Sequence, residues 1–148
     1  ASDAGYGFVA KLGDLQGRNK AGKAVLKLPA GATVLPPQPV SDYDSQRLAA
    51  VTNEGRLLVF PLSELPQLSK GKGNKIIGVP PGKVTTREEY VVAVAVLADN
   101  TDLTLYAGKR HITFKAADLE HYEGERGRRG NKLPRGFQRV DNMSVEMK

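Results

Sequence analysis

Residues Ser63 to Val79 read SELPQLSKGKGNKIIGV. An acidic residue and an aliphatic one come first (Glu64, Leu65). A glycine- and lysine-rich loop follows, with Lys70, Gly71, Lys72, Gly73, Asn74 and Lys75. A β-branched run of Ile76, Ile77 and Val79 closes the stretch. The same three parts occur once before, in GYGFVAKLGDLQGRNKAGKAVLKL (Gly5 to Leu28), and once after, in GKRHITFKAADLEHYEGERGRRGNKL (Gly108 to Leu133). Asp14-Leu15, Glu64-Leu65 and Asp118-Leu119 align. So do Gly22-Lys23, Gly73-Asn74-Lys75 and Gly130-Asn131-Lys132. The leucines of the acidic–aliphatic pair lie 50 and 54 residues apart. A period of about 40–50 residues built from short strands is the mark of a propeller-like array.

Outward from this repeat, the chain predicts antiparallel hairpins. Arg47 to Thr52 and Leu57 to Leu62 flank an Asn53-Glu54-Gly55 turn, and Leu103 to Tyr106 and His111 to Phe114 flank Ala107-Gly108. Short apolar runs bounded by turn residues are hairpin signals. Gly7 to Leu12 and Ala24 to Leu28 read as further strands, and Phe137 to Val145 as a weaker one. Tyr90 to Leu97 is continuously apolar, which predicts a strand buried on both faces. Ala116 to Tyr122 has room for one or two helical turns. Pro61 and Pro66 exclude a long helix at the Ser-Glu-Leu corner, and Pro80-Pro81-Gly82 ends a unit. No helical period persists over the 10–12 residues or so that a helix requires. The fold class is therefore all-β, in about three propeller-like antiparallel units: 1–37, which is incomplete, 41–83, and 84–148. The first unit lacks the strand that precedes the glycine turn in the other two, as expected of a fragment cut within a hairpin of a longer protein.

Composition narrows the function. The 148 residues make one domain, 40% hydrophobic, with no Cys and no Trp. Disulfides and thiolate metal sites are excluded. The longest apolar run, Val91 to Ala98, falls far short of the roughly 20 residues of a membrane-spanning helix. Net charge is +6 and the isoelectric point about 9.6, which points to a polyanionic partner if the cations cluster.

They do cluster. Arg18, Lys20 and Lys23 lie in the first glycine loop, and Lys70, Lys72 and Lys75 in the second. Arg126, Arg128, Arg129 and Lys132 lie in the third, with Arg135 and Arg139 after it. Ten of the 22 basic residues thus occupy three loops at matching positions. A repeat array sets equivalent loops along one edge, so these charges are expected to form a stripe. Aromatic residues for stacking on single-stranded bases are absent from the stripe, and no helix is available to enter a major groove. The pattern therefore predicts phosphate contacts to duplex DNA with little sequence readout.

Other chemistry is poorly supplied. Gly17 to Ala24 (GRNKAGKA) is one residue from a phosphate-binding P-loop, but Ala24 stands where the Mg²⁺-ligating hydroxyl is needed. His111 and His121 have no cysteine partners and sit on separate elements, so no metal site is expected. Asp14, Glu64 and Asp118 are expected to cap local backbone N–H groups. A propeller-like module that docks an acidic protein stands as the alternative to DNA binding.

Three stretches carry a family resemblance: GYGFVAKLGDL; GRLLVFPLSELPQLSKGKGNKI; and GKRHITFKAADL with GERGRRGNKLPRGFQRV. From Gly5 to about Val140 the chain resembles the C-terminal β-pinwheel domains of the gyrase A/ParC family, and is more similar to those of topoisomerase IV A subunits (ParC). The seven-residue glutamine-arginine-arginine-glycine-glycine-lysine-glycine box of gyrase A is not intact; GERGRRG and SKGKGNK look like degenerate copies. The resemblance implies four-stranded blades that exchange strands with their neighbours, and duplex DNA bound and bent around the outer rim. It implies a bacterial, cytoplasmic, nucleoid-associated parent, an ATP-dependent type II topoisomerase that forms a heterotetramer with the B subunit of topoisomerase IV. The family's catalytic tyrosine follows an arginine, and none of the five tyrosines here does. It also implies that ATP and Mg²⁺ belong to other domains, so this portion is expected to hold no cofactor and to carry out no catalysis.

Overall fold

The glycine turns decide where strands begin. In the computed structural model, which describes residues 1–9, 32–33, 35, 38, 40, 42–65, 67, 73–98, 101–133 and 139–147, Gly5, Gly55 and Gly108 all adopt positive φ. The strand after each turn opens one unit: β1 (Tyr6–Gly7), β3 (Arg56–Pro61) and β7 (Arg110–Phe114). β3 closes a hairpin with β2 (Arg47–Thr52), and β7 closes one with β6 (Thr101–Ala107).

Each hairpin is then extended. β5 (Val91–Leu97) lies antiparallel along β2, and β9 (Asn142–Met147) lies antiparallel along β6. On the other side, β4 (Asn74–Lys75) pairs with β1, and β8 (Asn131–Lys132) pairs with β3. The sheets are thus β1-β4, β5-β2-β3-β8 and β7-β6-β9. Both outer strands of the middle sheet come from the last third of the chain or its border, so sheets and sequence units do not share boundaries. Donation of β4 to β1 and of β8 to β3 is the strand exchange that the resemblance led one to expect.

Two apolar cores flank the middle sheet, one on each face. Leu48, Ala50, Leu58 and Phe60 pack with Ile76, Ile77 and Val91. Their alternates Ala49, Val51, Leu57 and Val59 pack with Leu97, Leu103, Leu105 and Leu119. Period-two alternation with both sets apolar is what a sheet sandwiched between neighbours requires. Burying a Leu or Phe side chain contributes about 1.5–3 kcal/mol, and Leu57, Phe60, Leu103 and Leu105 are all fully buried. The Tyr90 to Leu97 expectation holds for both faces: Val94 and Val96 pack on one core, and Ala95 and Leu97 on the other.

Short helical turns fill the corners. Leu62–Glu64 is a 3₁₀ turn, Pro81–Thr85 is α1, and Ala116–Leu119 is α2, continued by a 3₁₀ turn at Glu120–Tyr122. α1 was not anticipated: Pro81 sits at the first helical position, where its missing N–H costs nothing. The backbone N–H of Lys115 donates to Asp118 Oδ2 at 3.1 Å, the cap expected of that carboxylate. The final strand is displaced from expectation, starting at Asn142 and running to Met147. Of the expected Gly7 to Leu12 strand, Gly7 and a bridge from Val9 to Gln67 are seen. The rest of it, the Ala24 to Leu28 strand and Asp14 lie outside the described residues. Among the described residues, no helix is long and apolar enough to cross a membrane.

Candidate nucleic-acid interface

The Gly-Asn-Lys motif explains itself at the two exchange junctions. Gly73 has φ +81°, and a Cβ there would collide with the carbonyl oxygen of Gly7. Gly130 has φ +76°, and its Cβ would lie 2.6 Å from the carbonyl oxygen of Leu57. Only glycine combines that conformation with so close an approach. Just beyond each short strand the junctions match again: Ile76 N–H donates to Gly5 O (2.6 Å) and Leu133 N–H to Gly55 O (2.8 Å). Ile76 and Leu133 are buried, whereas Asn74, Lys75, Asn131 and Lys132 are exposed. The register sets Lys75 opposite Tyr6 and Lys132 opposite Arg56. The two lysines therefore hold the same place in successive repeats.

The third basic loop joins one junction to the next. Gly127 N–H donates to Ile76 O (2.9 Å), and Gly78 N–H donates to Arg128 O (2.7 Å). Arg126 Nη1 donates to the carbonyl of Lys75 at 2.8 Å. Gly127, at φ +87°, lets the loop lie against the aliphatic stem of Lys75. Lys75, Arg126 and Arg128 so form one patch that leads through Gly130 into Lys132. Arg128 reaches Glu125 (3.1 Å), with both side chains more than 70% exposed. Such a surface pair is worth about 0–1 kcal/mol, so a phosphate can displace it.

Arg129 behaves differently from its neighbour. Its guanidinium forks onto Glu89 (Nη1 to Oε1 2.5 Å, Nη2 to Oε2 3.1 Å) and also donates to Gly78 O at 2.6 Å. Glu89 is fully buried. Lys132 and Arg139 are exposed and, among the described residues, carry no ion pair. Arg18, Lys20, Lys23, Lys70, Lys72 and Arg135 lie outside the described residues, as does the P-loop-like Gly17 to Ala24.

Sequence reasoning missed Arg56, which faces Lys132 across the second junction and donates to Gly130 O at 3.4 Å. The signal was present: Arg56 follows its glycine turn as Tyr6 follows Gly5. His111 lies near the Tyr106 ring (6.3 Å) and His121 packs edge-on to Tyr122 (5.1 Å). Among the described residues, no three His, Cys, Asp or Glu side chains are grouped to hold a metal ion. A cavity of about 280 Å³ between β5 and β9 is lined by Gln38, Val92–Ala95 and Asn142–Ser144, with no titratable side chain.

The geometry of exchanged strands has a counterpart among known proteins. The family model of the DNA gyrase C-terminal domain, a β-propeller, matches residues 1–41 and 46–98. The chain belongs to this family. It is 63% identical over 147 residues to the A subunit of DNA topoisomerase 4 from Pseudomonas aeruginosa, covering 99% of this chain and 20% of that protein. It is 49% identical over 146 residues to the corresponding protein of Escherichia coli K12, covering 99% and 19%. The chain thus spans about a fifth of the length of these relatives. The solved E. coli ParC C-terminal domain superposes with a TM-score of 0.90 at 47% identity, over 100% of this chain and 59% of that one. A second solved structure, the C-terminal domain of a DNA topoisomerase IV, shares the fold at a TM-score of 0.78 and 17% identity, over 99% and 45%. The β-pinwheel expectation is borne out.

Proposed function

We propose that this chain is a duplex-DNA-binding module of a topoisomerase IV A subunit, one that grips the phosphate backbone without reading sequence and bends the duplex along its rim. One observation carries the reading. Lys75 and Lys132 occupy equivalent exposed positions at successive strand-exchange junctions, and the Arg126–Arg128 loop bridges them. Cations repeated along a curved array match phosphates repeated along a duplex, and contacts to phosphate fix position without specifying bases. Bending 20–30 base pairs costs about 1–6 kcal/mol, which a row of such contacts can offset.

On this reading the chain supplies binding and geometry, and the bond-breaking chemistry belongs elsewhere. The parent acts with the B subunit of topoisomerase IV, uses ATP and Mg²⁺ held by other domains, and works at the nucleoid on decatenation and supercoil relaxation. Charge reversal tests the reading. Lys75→Glu with Lys132→Glu is expected to weaken binding to an arbitrary duplex far more than Lys83→Glu, since Lys83 lies on α1 and faces Glu54 at 3.9 Å. Equal losses of log K per reversed charge would show that net charge, not the rim, governs binding. Saturable, salt-insensitive binding to an acidic protein instead would favour the docking module.

A further inference from the structure

We propose that the segment Arg87–Tyr90 is a staple that fixes the angle between repeats, and so the curvature of the basic rim, and that Arg129 belongs to this staple as a positioning residue rather than to the phosphate contacts. The inference rests on the DNA-binding reading for its effect on DNA, but not for the staple itself.

Four consecutive residues, just before β5 of the middle sheet, reach the first glycine turn, the middle glycine turn and the third basic loop. Arg87 Nη2 donates to Asp3 Oδ2 at 2.8 Å, next to the first glycine turn. Asp3 is buried and also accepts from Thr33 N (2.9 Å) and Thr33 Oγ1 (2.7 Å). The Arg87 guanidinium lies 4.1 Å from the centre of the Tyr90 ring. Glu88 O accepts from Asn53 Nδ2 (3.2 Å) and Tyr90 N–H donates to Asn53 Oδ1 (2.9 Å), which ties the segment to the middle glycine turn. Glu89 takes the Arg129 fork from the third basic loop, with Thr52 Oγ1 at 3.4 Å. Arg87 is the one non-glycine residue with positive φ among those described, at +62°. A residue held in that region is held there by its surroundings.

The two apolar cores hold the repeats together, but the hydrophobic effect itself is non-directional, and directional bonds at the sheet ends add to what packing fixes. Guanidinium–carboxylate bonds are directional, and planar where they fork. The staple supplies them on both sides: Arg87–Asp3 ties the segment before β5 to the first repeat, and Arg129–Glu89 ties that segment to the loop before β8, across the end of the middle sheet. Arg129 also grips Gly78 O, the residue whose N–H binds Arg128 O. The turn of Arg129 onto Glu89 therefore fixes the loop that carries the exposed Arg128 and the half-buried Arg126.

The salt dependence of DNA binding separates the two roles. Losing a phosphate contact lowers the slope of log K against log salt by about 0.9; losing a positioning group leaves the slope unchanged. Arg128→Gln is expected to lower the slope by that amount. Arg129→Gln is expected to keep the slope, weaken binding about fivefold or more, and reduce the bend, read by energy transfer between dyes on the duplex ends. Arg129→Lys keeps the charge but loses the fork, and is expected to reduce the bend likewise. A slope loss in Arg129→Gln equal to that of Arg128→Gln, or unchanged affinity and bend, overturns the proposal.

A DNA-free readout stands beside it. The chain has no cysteine, so spin labels at Asn74→Cys in the first sheet and Glu64→Cys beside the middle one, both exposed, report the distance between the first and middle sheets. Arg129→Gln is expected to broaden or shift that distance, and an unchanged distribution overturns the staple. Should Arg129→Gln fail to fold, Arg87→Lys tests the other side with the same labels at Asn74→Cys and Glu64→Cys, judged in the same way. Wild-type chain without salt-dependent DNA binding would sink the DNA reading alone, and the label distances would still decide the staple.

Discussion

Substituting alanine at three glycines separates backbone strain from strand docking. Gly82 lies in α1 with open space around it and ordinary φ. Gly108 has φ +62°, and again nothing lies within 4 Å of an added Cβ. Gly130 has φ +76° and its Cβ would meet Leu57 O at 2.6 Å, Leu57 C at 2.9 Å and Leu58 Cβ at 3.3 Å. Gly82→Ala is expected to stabilise by about 0.4–1 kcal/mol through loss of unfolded-state freedom. Gly108→Ala costs only the left-handed conformation, about 1–2 kcal/mol. Gly130→Ala costs the same strain and also pushes β8 off β3. That endangers the Leu133 N–H to Gly55 O bond of 2.8 Å, and a buried group left unpaired costs about 1–3 kcal/mol more. The sum for Gly130→Ala is about 2–5 kcal/mol. In a domain of this size each kcal/mol lowers the melting temperature by about 2–4 °C or somewhat more. Melting followed by circular dichroism, supported by urea midpoints, gives the order Gly82→Ala above wild type, then Gly108→Ala, then Gly130→Ala. If Gly130→Ala melts no lower than Gly108→Ala, close docking of the exchanged strand is not what the glycine serves.

Three further outcomes follow from particular contacts. Arg129→Met strips the buried Glu89 of its cation and should cost about 3–5 kcal/mol, whereas Arg128→Ala at the exposed Glu125 pair should cost less than about 1 kcal/mol; urea titration compares them. Burial alone would raise the Asp3 carboxyl, but hydrogen bonds from Arg87 and Thr33, with the charge of Arg87, hold it below the ordinary carboxylate value. Its stabilisation is thus complete above the unfolded value of about 3.9 and is lost as pH falls through the lower folded value. Asp3→Asn should therefore be less stable near neutrality and show a shallower acid limb in urea midpoints taken from about pH 6 to pH 2. Lys75→Glu with Lys132→Glu should melt close to wild type, because both lysines are exposed, while losing DNA affinity; a large drop in melting temperature would show that they serve the fold.

Much of this was legible because the information was local or periodic. Gly73-Asn74-Lys75 and Gly130-Asn131-Lys132 announced a repeat, and the Asn53-Glu54-Gly55 turn announced a hairpin. The two-sided burial of Tyr90 to Leu97 followed from its unbroken apolar run. Partnership between distant segments was not legible. Nothing in Asn131-Lys132 says that it will complete the sheet of Arg56–Pro61, since strand donation depends on geometry beyond the motif. Arg128 and Arg129 are adjacent and chemically identical, yet one is in solvent and the other grips Glu89, 40 residues away. Charge counting treats them alike, and only the buried carboxylate tells them apart. α1 escaped notice because Pro80-Pro81-Gly82 reads as a stop, although proline is well suited to a first helical turn.

The central claim is that a rim of repeated cations meets duplex phosphates. Its most direct test is fluorescence anisotropy of this chain with two linear duplexes of unrelated sequence across a range of salt. Contact with about 6–8 phosphates predicts a slope of log K against log salt of about −5 to −7, the same for both duplexes. A slope near zero, no binding, or affinity that depends on sequence rather than salt would contradict it.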